Sequence, residues 1–244
     1  INAMLSHLDH DPFKTSLTHF NGKKLEQFDI KNTEEAEKIK EKLKTCDFIV
    51  KEVEEKEVSR KPSPPFITSS LQMEASRKLG MSAKNTMQVA QRLYQNGLIT
   101  YMRTDGVQIG EEGVSEIRSA IDKVFGNEYI PIKANAYASK VTNAQEAHEA
   151  IRPTDANINP ERMDSDLSKE ERDLYTLIWK RTLASQMENW KGLRTTINIT
   201  NNEMDINLRV SGTVTLFSGF RKLYEEGRKD TSKDDLQELS LIHI

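Results

Sequence analysis

Long apolar runs, cysteines and aromatic residues are all scarce in this sequence of 244 residues. No stretch approaches the roughly 18 consecutive apolar residues that suggest a membrane-spanning helix, and no signal peptide is recognised at the N-terminus. The single cysteine, Cys46, excludes an internal disulfide and a zinc site built from several cysteines. We therefore expect no membrane contact and a reduced, cytoplasmic setting.

Net charge is also small. The formal charge of −3 argues mildly against a nucleic-acid partner. The charge is uneven, however, since residues 60–103 carry seven basic side chains and one acidic side chain, a local charge of +6 that leaves −9 for the rest. A local basic face can bind phosphates whatever the total charge is, although ordinary solvated helix surfaces also explain several of these positions.

Apolar periodicity and turn residues predict strands, then helices, then strands again. The Asn-Gly pair at 21–22 favours a tight hairpin turn, and residues 47–60 alternate apolar and charged side chains as in an exposed strand. Prolines cluster at 61–65 and indicate a hinge or domain boundary. The helical block is therefore predicted to be inserted into a β domain that the returning chain completes. The later strands are predicted at 193–200, 203–210 and 213–217, with turns at the Asn-Asn pair 201–202 and the Ser-Gly pair 211–212.

Capping residues locate the predicted helices. Asn32, Ser82 and Ser168 are suitable N-caps, and Ser69 with Gln72 forms a candidate capping box. The helices are predicted at 33–45, 69–80, 82–96, 111–125 and 168–189. In the helix at 82–96, Met87, Ala90, Leu93 and Tyr94 are predicted to share one apolar face.

The heptapeptide Ile-Thr-Tyr-Met-Arg-Thr-Asp at 99–105 carries the strongest chemical signal. A tyrosine phenol has a solution pKa of about 10 and needs a cation or base close by to react at neutral pH. The guanidinium of Arg103 stays charged and can hold two phosphate oxygens, and Thr104 and Asp105 offer hydrogen bonds. Tyr101 is therefore a candidate nucleophile for a phosphodiester, although the run also fits a half-buried strand residue.

Two neighbouring stretches favour the first interpretation. Pro-Pro-Phe-Ile-Thr-Ser-Ser-Leu-Gln-Met-Glu-Ala-Ser-Arg-Lys-Leu-Gly lies at 64–80, and Gln-Glu-Ala-His-Glu-Ala-Ile-Arg-Pro-Thr lies at 145–154. Together with the heptapeptide they strongly resemble bacterial DNA topoisomerase I, a type IA topoisomerase. The resemblance covers at least residues 60–155, and the order of the three motifs makes it specific.

This resemblance implies an α+β multidomain fold. An antiparallel β domain shaped as an arch would carry an inserted, mainly α-helical domain that bears the active-site tyrosine. We predict the first part of the arch domain, the helical nucleophile domain, the second part of the arch domain and a charged tail at 4–61, 62–160, 161–228 and 229–244.

The resemblance also implies a reaction cycle and its partners. Tyr101 would attack a backbone phosphate of single-stranded DNA, form a 5′-phosphotyrosine bond, and reverse the reaction after another strand has passed. Negatively supercoiled duplex DNA would be relaxed without ATP. The remaining domains of the same polypeptide would be intramolecular partners, the protein would be a monomer, and its location would be cytoplasmic and nucleoid-associated.

Further site residues follow from the same likeness. Arg103 would stabilise the pentacovalent phosphate, and His148 would hold a phosphate or tune the site by its charge while bonded to Asp105. Arg152 either binds the DNA backbone or fixes its own loop, and the sequence leaves both roles open. DNA contacts are predicted for Thr104, Asp105, Arg152, Lys84 and Arg77.

Two departures from the family pattern are visible. Gly106 stands where the family usually has a serine, so a hydroxyl near the DNA is lost. The resemblance also places a Toprim domain before this region, with an acidic cluster for Mg²⁺, and no such domain is found. Asp164 and Asp166 have a suitable spacing, but they more simply begin the helix at 168. We therefore predict that Mg²⁺ is bound by the missing domain, that this chain holds no metal, and that it is inactive alone.

Other functions compete with this interpretation. A module that only binds single-stranded DNA would usually display several aromatic stacking platforms, whereas aromatics make up only 7% of this chain. The equivalent region of topoisomerase III or reverse gyrase is a further alternative. Met102 favours topoisomerase I, because topoisomerase III relatives usually have proline there.

Overall fold

The computed structural model describes residues 1–7, 10–137, 149–163 and 167–224. The chain divides into two units. One unit is formed by Ile1–Val58 together with Gly192–Leu216, and the other contains Ser59–Lys191 and the described residues from 217 to 224. The first unit is thus interrupted in sequence by the second.

A sheet of six strands dominates the first unit. Its strand order is β1-β2-β6-β5-β4, with β3 paired to β2, and the pairs β1–β2, β2–β3 and β2–β6 are antiparallel. The Asn-Gly turn at 21–22 joins β2 to β3 with positive φ angles of 50° and 73°, as the sequence predicts. The strands are β1 Asn2–His7, β2 His10–Phe20, β3 Lys23–Lys24, β4 Phe48–Arg60, β5 Trp190–Asn201 and β6 Asn207–Phe217.

The described residues contain five α-helices, four of them in the second unit. Three predicted N-caps are confirmed, because the side chains of Asn32, Ser82 and Ser168 accept hydrogen bonds from the first turns of their helices. The Ser168 cap also has the reciprocal bond to Glu171 that defines a capping box. The helices are α1 Thr33–Lys44, α2 Thr68–Leu79, α3 Ala83–Gln95, α4 Glu111–Phe125 and α5 Lys169–Ser185.

Two local predictions are wrong. Ser69 does not cap α2: the helix begins at Thr68, and the Oγ of Ser70 accepts a bond from the backbone N–H of Ile67 at 3.0 Å. The Ser-Gly pair at 211–212 does not turn the chain either, because β6 runs through it. β6 lies between β2 and β5 in the sheet, and incorporation into this strand outweighs the weak turn tendency of the pair.

Each unit has its own hydrophobic core. The core of the second unit gathers apolar side chains from its four helices and includes Leu93, Ile99, Met102 and Ile151, which are at most 1% exposed. Ile99 and Met102 flank the candidate nucleophile, so the segment between them is anchored at both ends. The predicted fold class, α+β with an antiparallel sheet and an inserted helical part, is confirmed.

The described part of the chain contains no helix long and apolar enough to span a membrane.

Candidate active site

A helix end directs the chain toward the candidate nucleophile. Beyond α3, the N–H of Leu98 bonds to the carbonyl of Leu93, and the N–H of Gly97 bonds to the carbonyl of Tyr94, both at 2.9 Å. This pair of hydrogen bonds is a Schellman motif. The motif needs a residue in the left-handed backbone conformation at Gly97, where φ is 71°. A side chain at that position would strain the turn. The glycine therefore ends α3 and fixes the direction in which residues 98–102 leave it.

The segment that carries Tyr101 is tied to the loop that follows the undescribed residues 138–148. Thr100 donates its N–H to the carbonyl of Arg152 at 2.8 Å and its hydroxyl to the carbonyl of Ala150 at 2.7 Å. The N–H of Thr154 returns a bond to the carbonyl of Leu98 at 3.1 Å. This ladder fixes the backbone of the segment that carries the candidate nucleophile.

Tyr101 itself points outward. Its side chain is 49% exposed, whereas Ile99 and Met102 are 1% exposed. The structure records no hydrogen bond for the Tyr101 hydroxyl among the residues that it describes. Its ring touches that of Tyr94, with the centroids 5.3 Å apart. The phenol oxygen is thus accessible to a substrate from solvent.

Arg103 lies on a short loop that Thr68 holds in place. The Oγ1 of Thr68 accepts from the N–H of Thr104 at 2.9 Å and lies 2.8 Å from the carbonyl of Met102, to which it donates. The backbone N–H of Thr68 bonds to the carbonyl of Thr104 at 3.0 Å. The side chain of Thr104 turns inward and accepts from the N–H of Gly106 at 3.0 Å. Arg103 is exposed, and no ion pair involving it is found within the described ranges.

The Arg103 loop and the start of α2 line a cavity of about 460 Å³ that is open to solvent. Its lining combines one guanidinium, one carboxylate, hydroxyls and an amide, a set that suits a phosphodiester next to a sugar. The lining residues are Ile67, Thr68, Ser69, Gln72, Arg103, Thr104 and Asp105. Arg103, Thr104 and Asp105 are sequence-predicted site residues that the structure brings together here.

Arg152 is engaged within its own loop. Its Nε donates to the Oε1 of Glu149 at 2.7 Å, another guanidinium nitrogen donates to the carbonyl of Pro153 at 2.8 Å, and its side chain is 15% exposed. The close approach of α4 adds to this restraint, since a Cβ added at Gly113 would lie 3.2 Å from the Arg152 guanidinium carbon. These contacts fit the role of fixing the loop, and a DNA contact by Arg152 stays a prediction.

The same loop is anchored further along by a carboxyl pair. Glu116 of α4 accepts the N–H of Ala156 at 2.6 Å, and the indole N–H of Trp179 donates to the Ala156 carbonyl at 2.9 Å. Burial raises the pKa of Glu116, and a hydrogen bond shared with Asp155 raises it further. Hydrogen bonds from Asn157 lower the pKa of Asp155. Within this pair, Glu116 is therefore the carboxyl that is protonated more easily, and Asp155 is the one that stays ionised.

Comparison with known proteins now identifies the family. A family model described as DNA topoisomerase matches residues 6–241. The chain belongs to this family. DNA topoisomerase 1 of Rickettsia prowazekii is 46% identical over 243 residues, and DNA topoisomerase 1 of Zymomonas mobilis is 48% identical over 222 residues. The alignments cover 96% and 91% of this chain.

A solved structure shows the same relationship. Full-length topoisomerase I from Thermotoga maritima matches with a TM-score of 0.69 and 31% identity over 89% of this chain. The match covers 35% of that structure, and the chain spans 31% and 18% of the two curated topoisomerases.

The remaining residues predicted from the sequence of this topoisomerase family member are either outside the described ranges or not among the residues that line the cavity. His148 falls outside the described residues, as do Asp164 and Asp166. Lys84 lies in the first turn of α3 and Arg77 in the last turn of α2, and both are exposed, but neither lines the cavity beside Arg103. With a rise of about 1.5 Å per residue, α3 alone places Lys84 roughly 17 Å from the helix end that leads to the candidate nucleophile.

Four residues that line the cavity are not among the site residues predicted from the sequence. Ile67, Thr68, Ser69 and Gln72 enter it from the start of α2, where the sequence predicts only a capping box of Ser69 and Gln72. The signal was present in the Ile-Thr-Ser-Ser-Leu-Gln stretch, whose polar residues are more numerous than one cap requires.

Within the described ranges, no group of three or more His, Cys, Asp or Glu side chains could hold a metal ion. The predicted binding of Mg²⁺ by a separate domain stays a proposal.

Replacing Thr68 by valine is expected to lower the free energy of unfolding by about 1–3 kcal/mol, because the N–H of Thr104 loses its buried acceptor. Valine keeps the shape of threonine, so packing changes little. The measurement is urea denaturation of this chain. Thr176→Val is the matched control, since its hydroxyl only bonds back to Arg172 within α5 at 2.6 Å. Equal effects of the two variants would contradict the role assigned to Thr68.

Proposed function

We propose that this chain is the nucleophile-bearing part of a type IA DNA topoisomerase that relaxes negatively supercoiled DNA. The observation that carries the proposal is the exposed phenol of Tyr101, held on an anchored segment two residues before the exposed Arg103. A reactive group needs a fixed backbone and an accessible oxygen, and Tyr101 has both. Membership of the topoisomerase family makes a DNA phosphodiester the natural electrophile.

The proposed reaction breaks one phosphoester bond for each one that it forms, so it needs no external energy source. The phenol oxygen of Tyr101 forms a bond to a backbone phosphorus, the bond from that phosphorus to the 3′ oxygen breaks, and the departing 3′ oxygen gains a proton while the phenol loses one. A 5′-phosphotyrosine results. After another strand has passed through the break, the 3′ hydroxyl attacks the same phosphorus and restores the strand, so ATP is not needed.

The other residues have supporting roles in this proposal. Arg103 stabilises the additional negative charge on the phosphate in the transition state. Thr104 shapes the loop that presents Arg103, and Asp105 lines the adjacent cavity. His148 is proposed to hold a phosphate or to tune the site by its charge. Lys84, Arg77 and Arg152 remain proposed DNA contacts.

The proposal extends to what lies outside the chain. The chain spans only 31% of a curated relative, and we propose that a Toprim domain of the same polypeptide binds Mg²⁺ and completes the active site. The predicted domain boundaries, the monomeric state and a cytoplasmic, nucleoid-associated location belong to this proposal. The chain alone is expected to be inactive, and relaxation of supercoiled plasmid by the isolated chain would contradict that expectation.

A complementation experiment tests the proposed function. This chain is mixed with a separately made Toprim-containing fragment, Mg²⁺ and a 3′-labelled single strand of DNA. We expect a labelled covalent protein–DNA band at the mass of this chain, and no band when either protein is left out. If both fragments fold and associate but no band forms, while the chain still retains the strand, a binding module is the better description.

A further inference from the structure

Tyr94 is an exposed aromatic residue that the hydrophobic core does not explain. It lies in the last turn of α3, and the buried residues of that helix are Thr86, Val89, Ala90 and Leu93. The sequence pattern predicts Tyr94 on this buried face, but its side chain is 41% exposed. Exposing a large ring has a cost in free energy, so its position calls for a local reason.

The local reason is its contact with the proposed nucleophile. The rings of Tyr94 and Tyr101 are 5.3 Å apart between centroids, with an angle of 66° between their planes. This edge-to-face arrangement places the positive edge of one ring against the negative face of the other. The structure records no hydrogen bond for the hydroxyl of Tyr94 within the described ranges, so the observed interaction is through the ring.

The backbone on both sides of this contact is fixed. Tyr94 belongs to a helix whose end is closed by the Schellman motif at Gly97, and its own carbonyl is part of that motif. The segment after Gly97 is tied by Thr100 to the loop at 150–152. With the backbone fixed, only the side-chain torsion angles of Tyr101 remain free to change. A half-exposed tyrosine without a neighbouring contact would exchange among several rotamers.

We propose that Tyr94 is a positioning residue that holds the ring of Tyr101 in the rotamer from which its oxygen attacks the phosphate. This inference rests on the proposed function of Tyr101 as nucleophile. The ring of Tyr94 limits the directions that the phenol can take, which raises the fraction of bound complexes that are ready to react. The hydroxyl of Tyr94 has no part in it.

Two substitutions separate the ring from the hydroxyl. In the full-length enzyme that contains this chain, Tyr94→Phe is expected to keep the rate of covalent adduct formation within about twofold. Tyr94→Ala is expected to lower that rate by about 2- to 12-fold, the factor that corresponds to the usual strength of an aromatic pair. The affinity for a single strand, measured by fluorescence anisotropy, is expected to be unchanged in both variants.

¹⁹F NMR provides a second measurement of the ring contact that does not depend on catalysis. With fluorotyrosine incorporated, the ¹⁹F resonance of Tyr101 is assigned in this chain by its disappearance in Tyr101→Phe. It is expected to shift in Tyr94→Ala, where the neighbouring ring is lost, and to stay close to its original position in Tyr94→Phe. Thermal unfolding of each variant establishes that the fold is retained. If the resonance behaves as expected but the unsubstituted enzyme forms no adduct, the proposed function fails while the ring contact stands.

Several results would overturn the inference. An equal loss of rate in Tyr94→Phe and Tyr94→Ala would assign the effect to the hydroxyl. A loss of DNA affinity without a loss of the adduct rate at saturating DNA would make Tyr94 a stacking platform for a base. An unchanged rate in Tyr94→Ala would remove any role in positioning.

Discussion

Replacing Tyr101 by phenylalanine in the full-length enzyme is expected to abolish the covalent protein–DNA adduct. Phenylalanine keeps the ring and its edge contact with Tyr94, but it lacks the oxygen that would bond to phosphorus. We expect the adduct to fall by at least about 10³-fold, to the background of the assay, because no other group replaces a covalent nucleophile. The measurement is the amount of 3′-labelled single strand that stays with the protein on a denaturing gel.

The fold and the DNA affinity are expected to survive this change. The Tyr101 side chain is 49% exposed and has no hydrogen bond to a described residue, so its oxygen contributes little to stability. Tyr129→Phe is the control for loss of a phenol oxygen away from the candidate site, since Tyr129 bonds to Ser218 and does not line the cavity beside Arg103, and it is expected to form the adduct normally. A Tyr101→Phe enzyme that still forms the adduct would assign the nucleophile to another residue.

Replacing Arg103 by alanine is expected to lower the rate of adduct formation by about 10²–10³-fold, the usual effect of removing one preorganised donor from a developing negative charge. The guanidinium is exposed at a cavity of about 460 Å³ and has no carboxylate partner in the described part of the chain that would neutralise it. Arg103→Lys is expected to recover only part of the rate, because an ammonium cannot hold two phosphate oxygens in one plane.

The control for Arg103 is an arginine that carries the same charge elsewhere. Arg162 is exposed, lies in a short 3-10 helix before α5, and does not line the cavity. Arg162→Ala is expected to leave the adduct rate within about twofold, a change typical of a remote surface charge. If both alanine variants lose the same factor, the effect of Arg103 is one of general charge and not of transition-state stabilisation.

Local chemistry made much of the fold predictable from the sequence. The caps at Asn32, Ser82 and Ser168 and the Asn-Gly turn at 21–22 depend on hydrogen bonds and backbone angles within a few residues. Such interactions are determined by the sequence that makes them. The three family motifs likewise predict the topoisomerase family and an inserted helical part, and both predictions are confirmed. The roles that the same motifs predict for Tyr101 and Arg103 stay proposals.

The parts that could not be predicted depend on distant residues. The pairing of Thr68 with Thr104 joins positions far apart in sequence, and it decides how the Arg103 loop is presented. Tyr94 has the spacing of a core residue, and only the path of the chain after Gly97 shows that its ring meets Tyr101 instead. β6 runs through a Ser-Gly pair because the sheet around it is stronger than the turn signal.

The most direct test of the account is to locate the DNA on the protein by mass spectrometry. The trapped adduct of the full-length enzyme is digested with nuclease and trypsin, and the peptide between Arg92 and Arg103, which contains both Tyr94 and Tyr101, is fragmented. We predict a nucleotide bound through its 5′ phosphate to Tyr101, with Tyr94 unmodified. A nucleotide on Tyr94, on another residue, or bound through a 3′ phosphate would contradict the proposed mechanism.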